Sequence, residues 1–286
     1  MIRIAAAALA FVVSSAAPAQ TVSAERGKYI FDAAGCFGCH TDKGGALLAG
    51  GAALNTPFGT FYAPNITPDP DHGIGKWSEA DFIRALSEGK SPGGQHYFPV
   101  FPYPSYTKMT VQDMRDLKAY LATVPPSNQP RRAHEVSFPY SIRAALIPWK
   151  WLNFEAGEFK ADPSHDAKWN RGAYLVQALT HCGECHTPRG MIGGLDRKQW
   201  LSGARMPVGD LVAANLTPHK SGLADWSTAD IVDALETGTL PQGGTLGGEM
   251  GEVVKNSTSR MRAEDREAIA VYLKALPPLP TQVKKK

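Results

Sequence analysis

Cysteine is scarce in this chain, with four residues in 286: enough for two disulfides or one all-cysteine zinc site, and no more. A charge of one sign is missing too, since 30 Lys and Arg face 27 Asp and Glu, and nothing argues for nucleic acid. Long apolar runs are lacking. The run Ile4 to Val13 is far short of the ~20 residues that span a bilayer, and no later segment reaches that length. What the chain has in quantity is 22 prolines and 28 glycines, which imply many turns and loops instead of long helices.

The amino terminus carries one positive charge (Arg3), the apolar run, and Ala17-Pro18-Ala19 as a small-residue cleavage site. Residues 1–19 therefore read as a secretory signal peptide, excluded from the fold. The expected location is outside the cytoplasmic membrane, which in a bacterium is the periplasm. About 267 mature residues suit two domains with separate cores. The terminal Lys284-Lys285-Lys286 reads as a solvated basic tail, residues 281–286.

All four cysteines fall in two pentapeptides, Cys36-Phe37-Gly38-Cys39-His40 and Cys182-Gly183-Glu184-Cys185-His186. Cys-x-x-Cys-His is the attachment pattern of a c-type haem. Cysteines three apart lie on adjacent turns of one short helix, so both thiols can add to the vinyl groups of one porphyrin. The histidine that follows then offers a ring nitrogen to iron. Neither zinc knuckles, which sit closer together than these motifs, nor disulfides explain a histidine after both pairs. A thioredoxin-like motif needs only one pair near a βαβ pattern, and none appears. The expected cofactors are two covalently bound haem c groups, on Cys36, Cys39 and His40 and on Cys182, Cys185 and His186.

The two motifs sit inside a longer internal repeat. Arg26-Gly27-Lys28-Tyr29 matches Arg171-Gly172-Ala173-Tyr174, Asn65-Ile66-Thr67-Pro68 matches Asn215-Leu216-Thr217-Pro218, and Trp77-Ser78 matches Trp226-Ser227. Ser78 with Asp81, and Ser227 with Asp230, read as capping boxes that open helices. Gly89 and Gly238 read as their stops. Leu117, Tyr120, Leu121 and Val124, like Ile269, Tyr272, Leu273 and Leu276, make one apolar stripe on a closing helix. The expected fold is all-α: a first domain at 20–125, a connecting strap at 126–168, and a second domain at 169–280. Ile142, Leu146, Trp149, Trp151, Leu152 and Phe154 make the strap apolar. It is expected to pack over the domains, with a partner-docking patch as the alternative.

The distal iron ligands are less plain. A methionine opposite histidine suits an electron carrier. The first domain offers Met109, before the last helix, and Met114, which falls on the packing stripe. His96, in a glycine-rich loop, is the alternative to Met109. The second domain offers Met191, Met206, Met250 and Met261. Met206 aligns with Thr56 and Met261 with Met109, so the repeat leaves Met250 against Met261 open.

Taken together, these segments resemble the dihaem c-type cytochromes related to the cytochrome subunits of membrane-bound alcohol, gluconate and aldehyde dehydrogenases. The resemblance covers essentially the whole mature chain. It rests on Arg-Gly-x-Tyr, both haem motifs, Gly73-Ile74-Gly75-Lys76-Trp77-Ser78, the run Phe101 to Thr110, Cys182 to Gly190, and Met250 to Thr258. It implies two tandem class I cytochrome c domains and favours Met250 over Met261 as a ligand. The three-haem subunits have Met-Pro-Tyr where this chain has Phe101-Pro102-Tyr103, which leaves Met109 to serve the first haem. The chain ends after the second domain, without a third haem or the membrane-associating region, so a full quinone-reducing subunit is not expected.

The function implied is electron transfer from a periplasmic dehydrogenase to another cytochrome or a terminal oxidase, with any membrane association peripheral and through a partner. A haem enzyme, such as a dihaem thiosulfate dehydrogenase or a peroxidase, is the alternative, because it needs an open ligand position at one iron. Arg189 is either a propionate partner or an ordinary surface arginine.

Overall fold

The computed structural model describes residues 21–206 and 211–282. The expected signal peptide (1–19), Pro207 to Gly209 of the repeat and the Lys284 to Lys286 tail lie outside the described residues. Eleven α-helices are present among them: α1 (Ala24–Ala33), α2 (Cys36–His40), α3 (Glu79–Glu88), α4 (Tyr103–Tyr106), α5 (Val111–Leu121), α6 (Leu146–Asn153), α7 (Ala167–Tyr174), α8 (Gly183–His186), α9 (Thr228–Glu236), α10 (Gly248–Asn256) and α11 (Ala263–Lys274). A π-helical turn, Leu175–Leu179, continues α7.

The elements repeat in order, and local chemistry explains why. Ser78 and Ser227 each accept from the backbone N–H three residues on, while Asp81 and Asp230 reach back to the cap. Both capping boxes thus form as expected from the sequence. Gly89, at φ 59°, ends α3, whereas α9 ends a residue earlier than its glycine, at Thr237.

The first helix of each half crosses the last at a glycine. A Cβ on Gly27 would lie 1.9 Å from the Asp116 carbonyl oxygen of α5, and one on Gly172 would lie 2.0 Å from that of Ala268 in α11. Only glycine allows backbones this close, which accounts for the second position of Arg-Gly-x-Tyr. The arginine tightens the same crossing. Arg26 Nε meets Asp116 at 2.8 Å, and the Arg171 guanidinium takes Asp265 through Nε and Nη2, both at 2.7 Å.

The all-α expectation needs correction, because the helices are joined by small sheets. Strands β1 (Ala53–Thr56) and β2 (Gly59–Tyr62) form an antiparallel hairpin, and β3 (Glu135–Val136) adds to its free edge. In the second half β4 (Ala204–Arg205) pairs with β5 (Val212–Ala213). The hairpin is possible because Gly59 adopts φ 131°, with the Glu135 carbonyl where a side chain would stand. Its third strand comes from the connecting segment, so helical periodicity within the first half carried no sign of it.

That segment is anchored to both halves. Lys150 Nζ donates to the carbonyls of Glu88 (2.6 Å) and Gly89 (3.0 Å), Arg143 to that of His96 (2.7 Å), and Trp149 Nε1 to that of Ile192 (2.7 Å). Leu146 is buried, but Trp151 and Leu152 are 81% and 75% exposed. The apolar stretch is therefore two-faced.

Candidate haem sites

Each pentapeptide forms the short helix its spacing predicts: α2 holds Cys36, Cys39 and His40, and Cys182 caps α8, which holds Cys185 and His186. None of the four cysteines is paired with another in a disulfide. Among the described residues no three His, Cys, Asp or Glu side chains are grouped to hold a metal, so the two pairs do not form one four-thiolate cage. Burial pushes the Cys36 thiol up to about 12, with Cys39 adding to it, and Cys185 up to about 11, with Glu184 adding to it. A reactive dithiol needs the opposite shift.

The histidines are held by the second repeated motif. His40 Nδ1 donates to the Pro64 carbonyl at 2.8 Å and His186 Nδ1 to the Ala214 carbonyl at 2.7 Å. Each carbonyl immediately precedes an Asn-x-Thr-Pro. There Asn65 Oδ1 accepts from the Thr67 N–H (2.9 Å) and hydroxyl (2.8 Å), and Asn215 Oδ1 does the same for Thr217, both at 2.8 Å. The asparagine amides then bind the chain beyond the last helix, at Ser127 O (2.8 Å) and Leu279 O (2.7 Å). With Nδ1 engaged, each ring keeps Nε2 as its free ligating nitrogen. Burial lowers the pKa of both imidazoles, which favours the neutral form that binds iron. Two thiols on one turn beside a neutral, oriented imidazole fit a covalently held haem in each half.

The two sites face each other. Tyr106 of α4 donates to the Ala34 carbonyl (3.2 Å), two residues before Cys36, and its ring lies 5.6 Å from that of His181, one residue before Cys182. Ser105 donates to Glu184 inside the second pentapeptide at 2.7 Å. In return, Ser257, just past α10, donates to the Ala33 carbonyl at 2.8 Å. The Glu249 carboxylate acts on both Cys39 and Cys185, adding to the rise that burial causes in each. Arg189 is committed within the second half, to Glu184 at 2.6 Å and to the Gly193 carbonyl at 2.8 Å.

The methionines divide into two settings. Met109 and Met261 precede the last helices and donate equivalent backbone bonds, to Tyr106 O (2.9 Å) and Thr258 O (3.2 Å). They are 0% and 4% exposed, and Met114 is buried as well. Met250 lies in α10 and is only partly buried, Met191 is fully exposed, and Met206 follows β4. His96 stands apart near the connecting segment, where Lys150 and Lys90 add to the fall that burial causes in its pKa. Sequence reasoning missed Tyr106, Ser105, Glu184 and Ser257. Each makes its contact across the two halves, and no spacing signals that.

Residues 24–125 match the Cytochrome c family. Over 264 residues the chain is 46% identical to a protein named diheme cytochrome c-type from Cereibacter sphaeroides, covering 90% of this chain and 87% of that one. It is 38% identical both to the fructose dehydrogenase cytochrome subunit of Gluconobacter japonicus and to the cytochrome c subunit of the quinone alcohol dehydrogenase of Gluconacetobacter polyoxogenes, over 91% and 92% of this chain. Of those two longer proteins it spans 54% and 58%. With the motifs and the histidine geometry in agreement, the chain belongs to the c-type cytochromes, whose haem c is covalently attached and whose relatives include the cytochrome subunits of dehydrogenases.

Proposed function

We propose that this protein is a periplasmic dihaem electron carrier, exported by residues 1–19, that accepts electrons from a dehydrogenase and delivers them to a downstream cytochrome or terminal oxidase. In this reading two tandem class I domains, 20–125 and 169–280, each hold one haem c. Cys36 and Cys39 form thioethers to the first, with His40 on its iron. Cys182 and Cys185 hold the second, with His186 as proximal and Met250 as distal ligand. Each haem supplies a one-electron redox couple; the chain binds it, orients the imidazole and excludes water.

The observation that carries the reading is the mutual approach of the pentapeptides. Ser105 of the first half donates to Glu184 inside the second pentapeptide, Tyr106 joins Ala34 to the His181 ring, and Ser257 of the second half donates to Ala33, three residues before Cys36. Centres so placed suit internal electron exchange. A dehydrogenase as donor is supported by the names of the relatives, and the exposed Trp151 and Leu152 on the connecting segment offer it an apolar contact.

The mass of the purified holoprotein under denaturing conditions tests the haem count. Two haems should stay attached to a chain beginning near Gln20, and Cys182→Ala with Cys185→Ala should leave one. Mixing with dehydrogenases from the same periplasm should then reduce both haems on substrate addition. One haem in the native protein, or no reduction by any of them, would sink the proposal.

A further inference from the structure

The two halves can be brought into register bond by bond through the loop that follows α3 and α9. Lys90 bridges His96 as Thr239 bridges Thr245. Gly94 N–H donates to Ser91 O as Gly243 N–H does to Leu240 O, each at 2.9 Å. Tyr97 N–H donates to Gly89 O (2.8 Å) as Leu246 N–H donates to Gly238 O (2.7 Å). Phe101 stands four residues after Tyr97, and Met250 four after Leu246. Beyond this point the second half carries three extra residues, and the halves regain register at Met109 and Met261. In this register the counterpart of Met250 is Phe101, not Met109.

Burial points the same way. The groups that must meet a porphyrin keep an open side: Cys39 is exposed, and Cys36, His40, Cys182, Cys185 and His186 are partly so. Met250 and Phe101 share this property. Met109 does not, since protein encloses it on every side. A sulfur packed like that in a core has no free face for iron. Met114 is buried too, at 1%, so neither described methionine of the first half beyond its haem motif is free to ligate. Phe101 is held by Tyr97 and Tyr106, each with ring centroids 5.7 Å away, and a benzyl group cannot coordinate.

We propose that the first half supplies no distal protein ligand, and that Phe101 leaves that iron position to a small exogenous ligand, an anion or a diatomic molecule. The inference rests on Met250 as the second distal ligand. The molecule is then asymmetric, with one six-coordinate carrier site and one site open to ligand.

The test is the optical spectrum of the oxidised holoprotein with and without cyanide. The expected result is a far-red methionine–iron band from one haem only, a high-spin signal from the other, and cyanide saturating at one equivalent per chain. Phe101→Met should add a second far-red band and abolish cyanide binding. Met109→Leu, which conserves volume, should change neither. Two methionine bands in the native protein, loss of a band in Met109→Leu, or a low-spin first haem without that band, as His96 would give, overturns the proposal. If no far-red band appears at all, or if it survives Met250→Leu, it is the Met250 reading that fails; a high-spin, cyanide-binding haem would still mark an open site.

Discussion

Single positions carry much of this fold's specificity, and Gly27 and Gly172 are the clearest. A methyl group at either would meet a backbone carbonyl that no rotamer change can move aside. Gly27→Ala and Gly172→Ala should each cost ~2–3 kcal/mol of stability, read as a lower guanidinium midpoint of the holoprotein. A midpoint unchanged in both would mean that the helix crossing is looser than described. His134 gives a pH effect at the same scale. Its Nδ1 accepts from the Tyr62 N–H at 3.2 Å, and burial, with Arg131 and Arg143, pushes its pKa down to about 4. An unfolded histidine takes its proton near 6.5, so between these values the unfolded state binds more protons and stability falls as the pH drops. From about pH 7 to pH 5.5 this group should cost about 1 kcal/mol. The fall in Tm over that range should be shallower in His134→Gln than in the native protein, and parallel curves would rule the assignment out. Of these residues only the glycines were legible in the sequence, through the doubled Arg-Gly-x-Tyr. His134 has no counterpart in the second half, and its environment is set by a strand that the connecting segment adds.

Elements show where the sequence was readable and where it was not. Both capping boxes, both haem helices and both closing helices follow from local patterns, because each depends on contacts three or four residues apart. The role of Asn-x-Thr-Pro did not follow, although the motif was visible. It holds the carbonyl that orients each haem histidine and ties it to the tail of the last helix, more than sixty residues on. The tyrosine of Arg-Gly-x-Tyr was equally opaque. Tyr29 on α1 donates to Asp265 at the start of α11, and Tyr174 on α7 donates to Asp113 at the start of α5. Each half thus uses its own arginine to close its helix crossing, and its tyrosine to grip the other half. Burial alone would raise the pKa of Asp265, but hydrogen bonds from Arg171 and Tyr29 more than reverse this and hold the carboxyl below its usual range. Hydrogen bonds to a charged partner are worth about 1.5–3 kcal/mol. A double-mutant cycle with Tyr29→Phe and Asp265→Asn should return a coupling energy of that size in holoprotein unfolding, and strict additivity would show that the contact contributes nothing.

At the scale of the molecule the repeat behaves as a pair of mutually capped units. The segment between α3 and α5 reaches the second half through Ser105, on Glu184, and Tyr106, against His181, and the segment after α10 reaches back to Ala33, just before the first pentapeptide, through Ser257. Reciprocal contacts of this kind couple folding to site geometry: what stabilises one half also fixes the approach of the two haem helices. In the proposed ligation the asymmetry lies in a matched pair of positions, Phe101 in the first half and Met250 in the second. Such an interface should make unfolding cooperative across the whole chain. Because the two sites are expected to differ in ligation, each haem can report separately, through the far-red band for the second and the high-spin signal for the first. Both signals should be lost at the same guanidinium concentration in the native protein. Removing the Tyr174–Asp113 contact with Tyr174→Phe should lower both midpoints together, by about 1.5–3 kcal/mol in stability. Removing both cross-half tyrosine contacts, in Tyr29→Phe with Tyr174→Phe, should separate the midpoints if the halves have unequal intrinsic stability. Two transitions already resolved in the native protein would show that the halves fold independently, and that their approach is set by the connecting segment instead.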